Sequence, residues 1–210
     1  MAFDGDFAHC FFFYETGQFA PGEYVVGLLA AIFFKKEARA KIVHHSPAIW
    51  NTQDIVSQKG GVAMQSKTGY AFIKQVMRSE KTVSGGEMLA HHYFHDFAYC
   101  DPLGFSGRAC SRSGRSLGDW VKDRSSSGET NFCMEDAGQA IDTVLEAYRE
   151  DAICIDEIDG LSLSFNDWHF NLRRSNSEPL VRLDIETKRG EDRHSDQVDV
   201  ITELLGGTKG

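Results

Sequence analysis

Apolar positions in the first half of the chain switch repeatedly between helical and extended spacing, and the switches mark out a series of elements. After the turn "APGEY", residues Glu23 to Lys36 are apolar almost all round, which predicts a helix buried on every side. "KIVHH", Lys41 to His45, reads as a strand. Ile49, Ile55 and Val56 then give "IWNTQDIVSQKGG" the spacing of a helix that stops at the Gly60–Gly61 pair. "VAMQS" is predicted as a second strand. "TGYAFIKQVMRSEK" is predicted as a helix with Phe72, Ile73, Val76 and Met77 on one face, and "TVSGGE" as a third strand running into a glycine-containing loop. Strands alternating with helices at this spacing imply an α/β unit with a mixed or parallel sheet and crossover helices.

The pattern then lapses. From Phe105 to Ser127, "FSGRACSRSGRS" and "DRSSSGE" are rich in Ser, Gly and Arg and sustain no apolar period, so a flexible link is expected there, with a short helix at "LGDWVKD". Helical spacing returns in "MEDAGQAIDTVLEAYRED", where Ala140, Ile141, Val144 and Leu145 share one side. "GLSLSF" and "HFNLR" read as an antiparallel pair joined at Asn166–Asp167, residues that tolerate the positive φ of a tight hairpin. "LVRLDIET" alternates apolar and polar positions as a half-buried strand does, and "SDQVDVITELLGG" closes as an amphipathic helix stopped by glycine. The second half is expected to be α+β, an antiparallel sheet packed by helices.

Composition narrows the function classes. The 210 residues are 41% hydrophobic and 25% charged with a formal net charge of −9, which disfavours nucleic acid as a partner. The longest apolar run, Tyr24 to Phe34, is shorter than the ~20 residues a membrane-spanning helix needs, so no membrane partner is expected. Five cysteines without a CxxC pair argue against a complete disulfide framework and place the chain in a reducing cytoplasm.

Three segments can carry chemistry. In "DGDFAHC", Asp4 and Asp6 flank a glycine and can offer two hard oxygen ligands to Mg²⁺, although the same residues also build ordinary turns. "GGEMLAHHYFHD" concentrates Glu87, His91, His92 and His95. If the segment is helical, His91 and His95 share a face and can bind zinc; otherwise a carboxylate and an imidazole suit the hydroxyls of a sugar, or simply cap the sheet. "NLRRSNSEPLVR" places Arg173, Arg174, Ser175, Asn176 and Ser177 on one turn, where guanidinium forks, hydroxyls and backbone N–H groups can cradle a phosphate or form a solvated β-turn.

Together and in this order, these segments resemble the α-D-phosphohexomutase superfamily, most closely its bacterial phosphomannomutase/phosphoglucomutase branch. That family interconverts hexose 1-phosphate and hexose 6-phosphate through a phosphoserine and a bisphosphorylated sugar. Its four domains surround one cleft and carry, in turn, the phosphoserine, a DGDxDR magnesium loop, a GEMSxH sugar loop and an RxSNTEP phosphate loop. The resemblance implies Asp4 and Asp6 as Mg²⁺ ligands, Glu87 and His91 as sugar contacts, and Arg173, Ser175, Asn176 and Ser177 as contacts to the phosphate of a mannose or glucose phosphate.

Departures from the pattern are equally specific. No TASHNP-type serine loop is present, Ala8 and His9 stand where the magnesium loop has Asp and Arg, and Leu89 replaces a small hydroxyl residue. Tyr70 takes the place of a His, and "PLGFSGRACSRSGR" replaces an apolar helix. The expectation is therefore a C-terminal fragment without the phosphoserine domain and with a weakened metal site, inactive alone. Its expected layout is a second-domain remnant at 1–20, a sugar-binding α/β domain at 21–105, a disrupted linker at 106–127 and a phosphate-binding α+β domain at 128–210. A non-catalytic sugar-phosphate binding module or a pseudogene product is the alternative.

Overall fold

Helix α1 (Gly22–Phe33) organises the first part of the molecule. Eleven of its twelve residues are buried, as its all-round apolar character requires. It packs on one side of a four-stranded mixed sheet made of β4 (Lys41–His45), β5 (Val62–Ser66), β6 (Ser84–Gly86) and β7 (His92–Phe94), in the order β5-β4-β6-β7. β4 runs parallel to both β5 and β6, and β7 returns antiparallel. The crossovers are helices α2 (Trp50–Gln58) and α3 (Tyr70–Glu80). A small antiparallel sheet of β1 (Ala2–Phe3), β2 (Cys10–Phe13) and β3 (Phe19–Ala20) precedes them. Cys10, Phe12 and Ala20 of that sheet share a core with Val25, Leu29 and Phe33 of α1.

This computed structural model describes residues 2–3, 5, 9–45, 50–88, 91–101, 118, 125–134, 136–175, 178–188, 191–206 and 208–209, and the chain divides into two units, Met1–Lys122 and Asp123–Gly210. Within the first unit the short strand β6 has helices against both faces, and its glycines make that possible. A Cβ on Gly85 would lie 2.9 Å from Met77 Sδ of α3, and one on Gly86 would collide with Val26 Cγ2 of α1. α2 is followed by Gly60, whose φ of +70° lets the Gly61 N–H reach back to the Val56 carbonyl. Ile73 and Met77 of α3 are fully buried, but Phe72, expected on the same face, is 49% exposed. At i+3 and i+4, Val76 and Met77 continue the Ile73 stripe, and Phe72 falls off its edge.

In the second unit, β8 (Ser125–Cys133), β9 (Cys154–Asp156), β10 (Leu161–Ser164), β11 (Trp168–Arg174), β12 (Leu180–Thr187) and β13 (Thr208–Lys209) form an antiparallel sheet in the order β13-β8-β12-β11-β10-β9. Helices α4 (Ala137–Tyr148) and α5 (Glu191–Leu205) supply Val144, Ile201 and Leu205 to the core under the apolar sheet face of Phe132, Phe170, Leu172 and Leu183. Asp136 caps α4, accepting from the N–H groups of Gly138 and Gln139 at 3.0 Å each.

Three expectations for this unit are corrected. β8 begins at Ser125, so part of the Ser-rich segment is a strand; its sheet partner β12, rather than its own apolar period, fixes it. The 164–169 corner has no positive φ at Asn166 or Asp167. It is closed by the Phe165 N–H on the Trp168 carbonyl and by the Phe165 and Trp168 rings, stacked 4.2 Å apart. Finally, β12 is not half-buried: its polar residues Asp184 and Glu186 are as enclosed as Leu183 and Ile185. They belong to a buried polar sheet face with Ser162, His169, Asn171 and Arg173, in which Asn171 Nδ2 donates to Ser162 Oγ at 2.8 Å. The helix expected at "LGDWVKD" lies outside the described residues save Gly118.

Candidate functional site

Strand order locates the first site. The chain leaves β4 toward β5 on one side and leaves β6 toward β7 on the other, so a crevice opens at the carboxyl ends of β4 and β6. Ligands of open α/β sheets bind in such a place. The residues there are His44 and His45 at the end of β4, Gly86 and Glu87 at the end of β6, Glu23 from the first turn of α1 and Thr52 from α2. His44 Nδ1 meets the His45 carbonyl at 3.0 Å, which makes Nδ1 the protonated nitrogen of a neutral ring. Burial holds its pKa down to about 4, against a smaller upward pull from that hydrogen bond. His45 Nε2 lies 2.5 Å from Thr68 Oγ1 and so ties the end of β4 to the loop after β5.

The predicted sugar loop leaves β6 into this crevice. Glu87 is buried, and its Oε1 accepts a 2.8 Å hydrogen bond from the Tyr93 hydroxyl. Burial and the adjacent carboxylate raise the Tyr93 pKa, so the phenol stays protonated as a donor. The Lys74 ammonium sits 5.1 Å above the same ring. Glu87 N–H donates to the His91 carbonyl at 2.9 Å and closes the loop. Asp101 holds the far side: its Oδ2 accepts from the His92 N–H at 3.0 Å and lies 3.7 Å from His91 Nδ1. The His9 ring packs against His91 with centroids 4.2 Å apart, which brings the end of the predicted magnesium loop to the sugar loop.

The zinc geometry is not realised. His92 to Phe94 is a strand, so His91 and His95 do not share a helical face. His95 is exposed and paired with Asp96, while His92 is fully enclosed, with burial lowering its pKa to about 4.

In the second unit, Arg173 and Ser175 stand at the β11–β12 turn, where Ser175 N–H donates to the Leu180 carbonyl at 2.8 Å. Arg173 is buried; its Nη2 donates to Glu129 and its Nε is 4.0 Å from Asp184. Arg182 reaches Ser175 Oγ at 3.4 Å and Glu129 Oε1 at 3.2 Å. Arg174 is exposed, and its guanidinium lies over Gly138 in the first turn of α4. Asp4, Asp6, Asn176 and Ser177 lie outside the described residues, and no group of three or more His, Cys, Asp or Glu side chains among the described residues can hold a metal ion.

Sequence reasoning missed Tyr93, Asp101, His45, Glu129 and Arg182. Tyr93 and Asp101 stand inside the same motif as Glu87 but show no chemistry until the loop folds. Glu129 was hidden by the serine-rich run before it.

The chain thus joins a mixed α/β unit with a carboxylate and imidazoles at its strand ends to an α+β unit with an arginine-bearing turn. Comparison with known proteins makes the family explicit. Residues 21–104 match the model for phosphoglucomutase/phosphomannomutase, alpha/beta/alpha domain III. A phosphomannomutase of Salmonella montevideo is 49% identical over 196 residues, covering 90% of this chain and 43% of that protein. The crystal structure of a phosphoglucomutase/phosphomannomutase family protein from Burkholderia thailandensis superposes with a TM-score of 0.80 at 24% identity, over 99% of this chain and 47% of that one. A further structure, Aspergillus fumigatus N-acetylphosphoglucosamine mutase in complex with GlcNAc-6P and magnesium, has a TM-score of 0.54 at 14% identity, over 93% and 48% of the two chains. The chain belongs to the α-D-phosphohexomutase superfamily, in its phosphoglucomutase/phosphomannomutase branch. It spans a little under half the length of the relatives it matches.

Proposed function

We propose that this chain forms the hexose- and phosphate-recognising part of a phosphohexomutase that interconverts hexose 1-phosphate and hexose 6-phosphate. The observation that carries the reading is the placement of Glu87 and His91 at the carboxyl end of β6, in a segment matching the family's third domain. Glu87 accepts hydrogen bonds from sugar hydroxyls, with its carboxylate fixed by Tyr93, and His91 donates. Arg173, Ser175, Asn176 and Ser177 hold the phosphate that does not react. Residues 21–105 are the sugar-binding part and 128–210 the phosphate-binding part. Asp4 and Asp6 are the ligands proposed for Mg²⁺, which would supply positive charge to phosphoryl oxygens. A cytoplasmic setting is part of the same proposal; among the described residues no helix is long and apolar enough to cross a membrane.

Calorimetric titration with glucose 6-phosphate and mannose 6-phosphate tests the reading. Binding should be saturable and weakened about tenfold in Glu87→Gln, the effect of losing a charge-assisted hydrogen bond. Equal affinity in both proteins would remove Glu87 from the site.

A second reading, binding without catalysis, is favoured by specific residues: no TASHNP-type serine occurs in these 210 residues, and Ala8 and His9 replace an acidic ligand and a cation. Mannose 1-phosphate supplied with hexose 1,6-bisphosphate and Mg²⁺ should therefore not be isomerised by this chain alone. Turnover would contradict that.

A further inference from the structure

The arginines beneath the β11–β12 turn are arranged in a way that a sheet does not favour. Arg173 of β11 and Arg182 of β12 are directly opposite each other in register, and Glu129 of β8 is directly opposite Asp184 of β12. Like charges facing across a sheet repel. Here the attractive contacts run along the diagonals: Arg182 Nη1 to Glu129 Oε1 at 3.2 Å, Arg173 Nε to Asp184 Oδ2 at 4.0 Å, and Arg173 Nη2 to Glu129 two strands away. Arg182 Nη2 also lies 3.8 Å from Glu178 Oε2, while Glu129 bridges both cations. Its side chain is 15% exposed, and that of Arg173 is 8% exposed, so the contacts lie where solvent screening is weak. Arg182 continues from Glu129 to Ser175 Oγ, the first residue after β11.

We propose that Glu129 is a positioning residue for phosphate recognition: it holds the Arg173–Arg182 pair together against their mutual repulsion and so fixes the guanidinium groups beside Ser175. This inference rests on the hexose-phosphate reading for its ligand. It makes a prediction of unusual sign. If Glu129 acted only through its charge, removing that negative charge would tighten binding of an anionic phosphate. As a positioning residue, its loss weakens binding, because the arginines separate and the turn loses its support.

The test compares wild type with Glu129→Gln, which keeps the shape and removes the charge. Glucose 6-phosphate affinity should fall about tenfold or more, the size expected for a charge-assisted contact. The side-chain Nε–H groups of Arg173 and Arg182 should exchange about tenfold faster by NMR as their cage opens, while amide shifts in α4 and α5 stay in place. Affinity that is unchanged or tighter in Glu129→Gln overturns the proposal. If wild type binds no hexose phosphate, the functional reading fails separately, and the exchange rates still decide whether Glu129 holds the arginines. Should Glu129→Gln not fold, Glu129→Asp keeps the charge but is one methylene too short to bridge both cations. It should lose affinity in the same direction, and wild-type affinity there overturns the proposal.

Discussion

Glu87 illustrates how little of a site a single residue carries. Its carboxylate is useful at the end of β6 because Tyr93, six residues on, donates to it from a phenol that burial and that same carboxylate keep protonated. Tyr93→Phe leaves a buried acceptor without its donor. It should cost about 1–3 kcal/mol of stability by denaturant midpoint and weaken hexose 6-phosphate binding in titration. Glu87, His91 and Arg173 are singled out in the sequence because their side chains suit sugars and phosphate, and the family resemblance rather than residue identity gives them their proposed roles. Tyr93, Asp101 and Glu129 act through neighbours that only folding supplies, so no spacing announced them. The buried histidines give a further prediction at this scale. His44 and His92 hold a pKa of about 4 when folded, against ~6.5 in an unfolded chain. Between those values the unfolded state binds more protons. Stability is thus fully present above about pH 6.5 and falls as pH drops toward 4, by up to about 3 kcal/mol per histidine. Melting curves at stepped pH should show this decline, and it should be shallower in His44→Gln.

At the scale of elements, apolar period found what packing alone decides and missed what partners decide. β4 and β5 were read with their observed ends, Lys41–His45 and Val62–Ser66, because both are short apolar runs between turn signals. β8 escaped because its serines have no period of their own and β12 supplies its register. The Asn166–Asp167 corner was placed correctly but for the wrong reason, since the stacked Phe165 and Trp168 rings rather than a positive φ hold it. β6 shows what an element with almost no side chains achieves: Gly85 and Gly86 let α3 and α1 approach the sheet and set the crevice from which Glu87 projects. Gly86→Ala should drive a methyl against Val26 and destabilise the first unit by about 1–3 kcal/mol in urea unfolding. A change without measurable cost would mean that α1 can shift away.

For the molecule as a whole, the order of segments carried more than any one of them. A DGD turn, a histidine-rich loop and an arginine turn are each common, but their succession along one α/β-then-α+β chain pointed to the phosphohexomutases, and the family comparisons agree. The buried polar face of the second sheet was not legible, because alternation in β12 reads equally as a solvent-facing side and as a charge-paired interior. The central proposal is that the sugar loop of the first unit, with Glu87 and His91, recognises a hexose phosphate. Amide chemical-shift mapping during a glucose 6-phosphate titration tests it most directly. The account predicts saturable shifts at Glu87, His91 and Tyr93. Shifts confined to other residues, or none at saturating ligand, would contradict it.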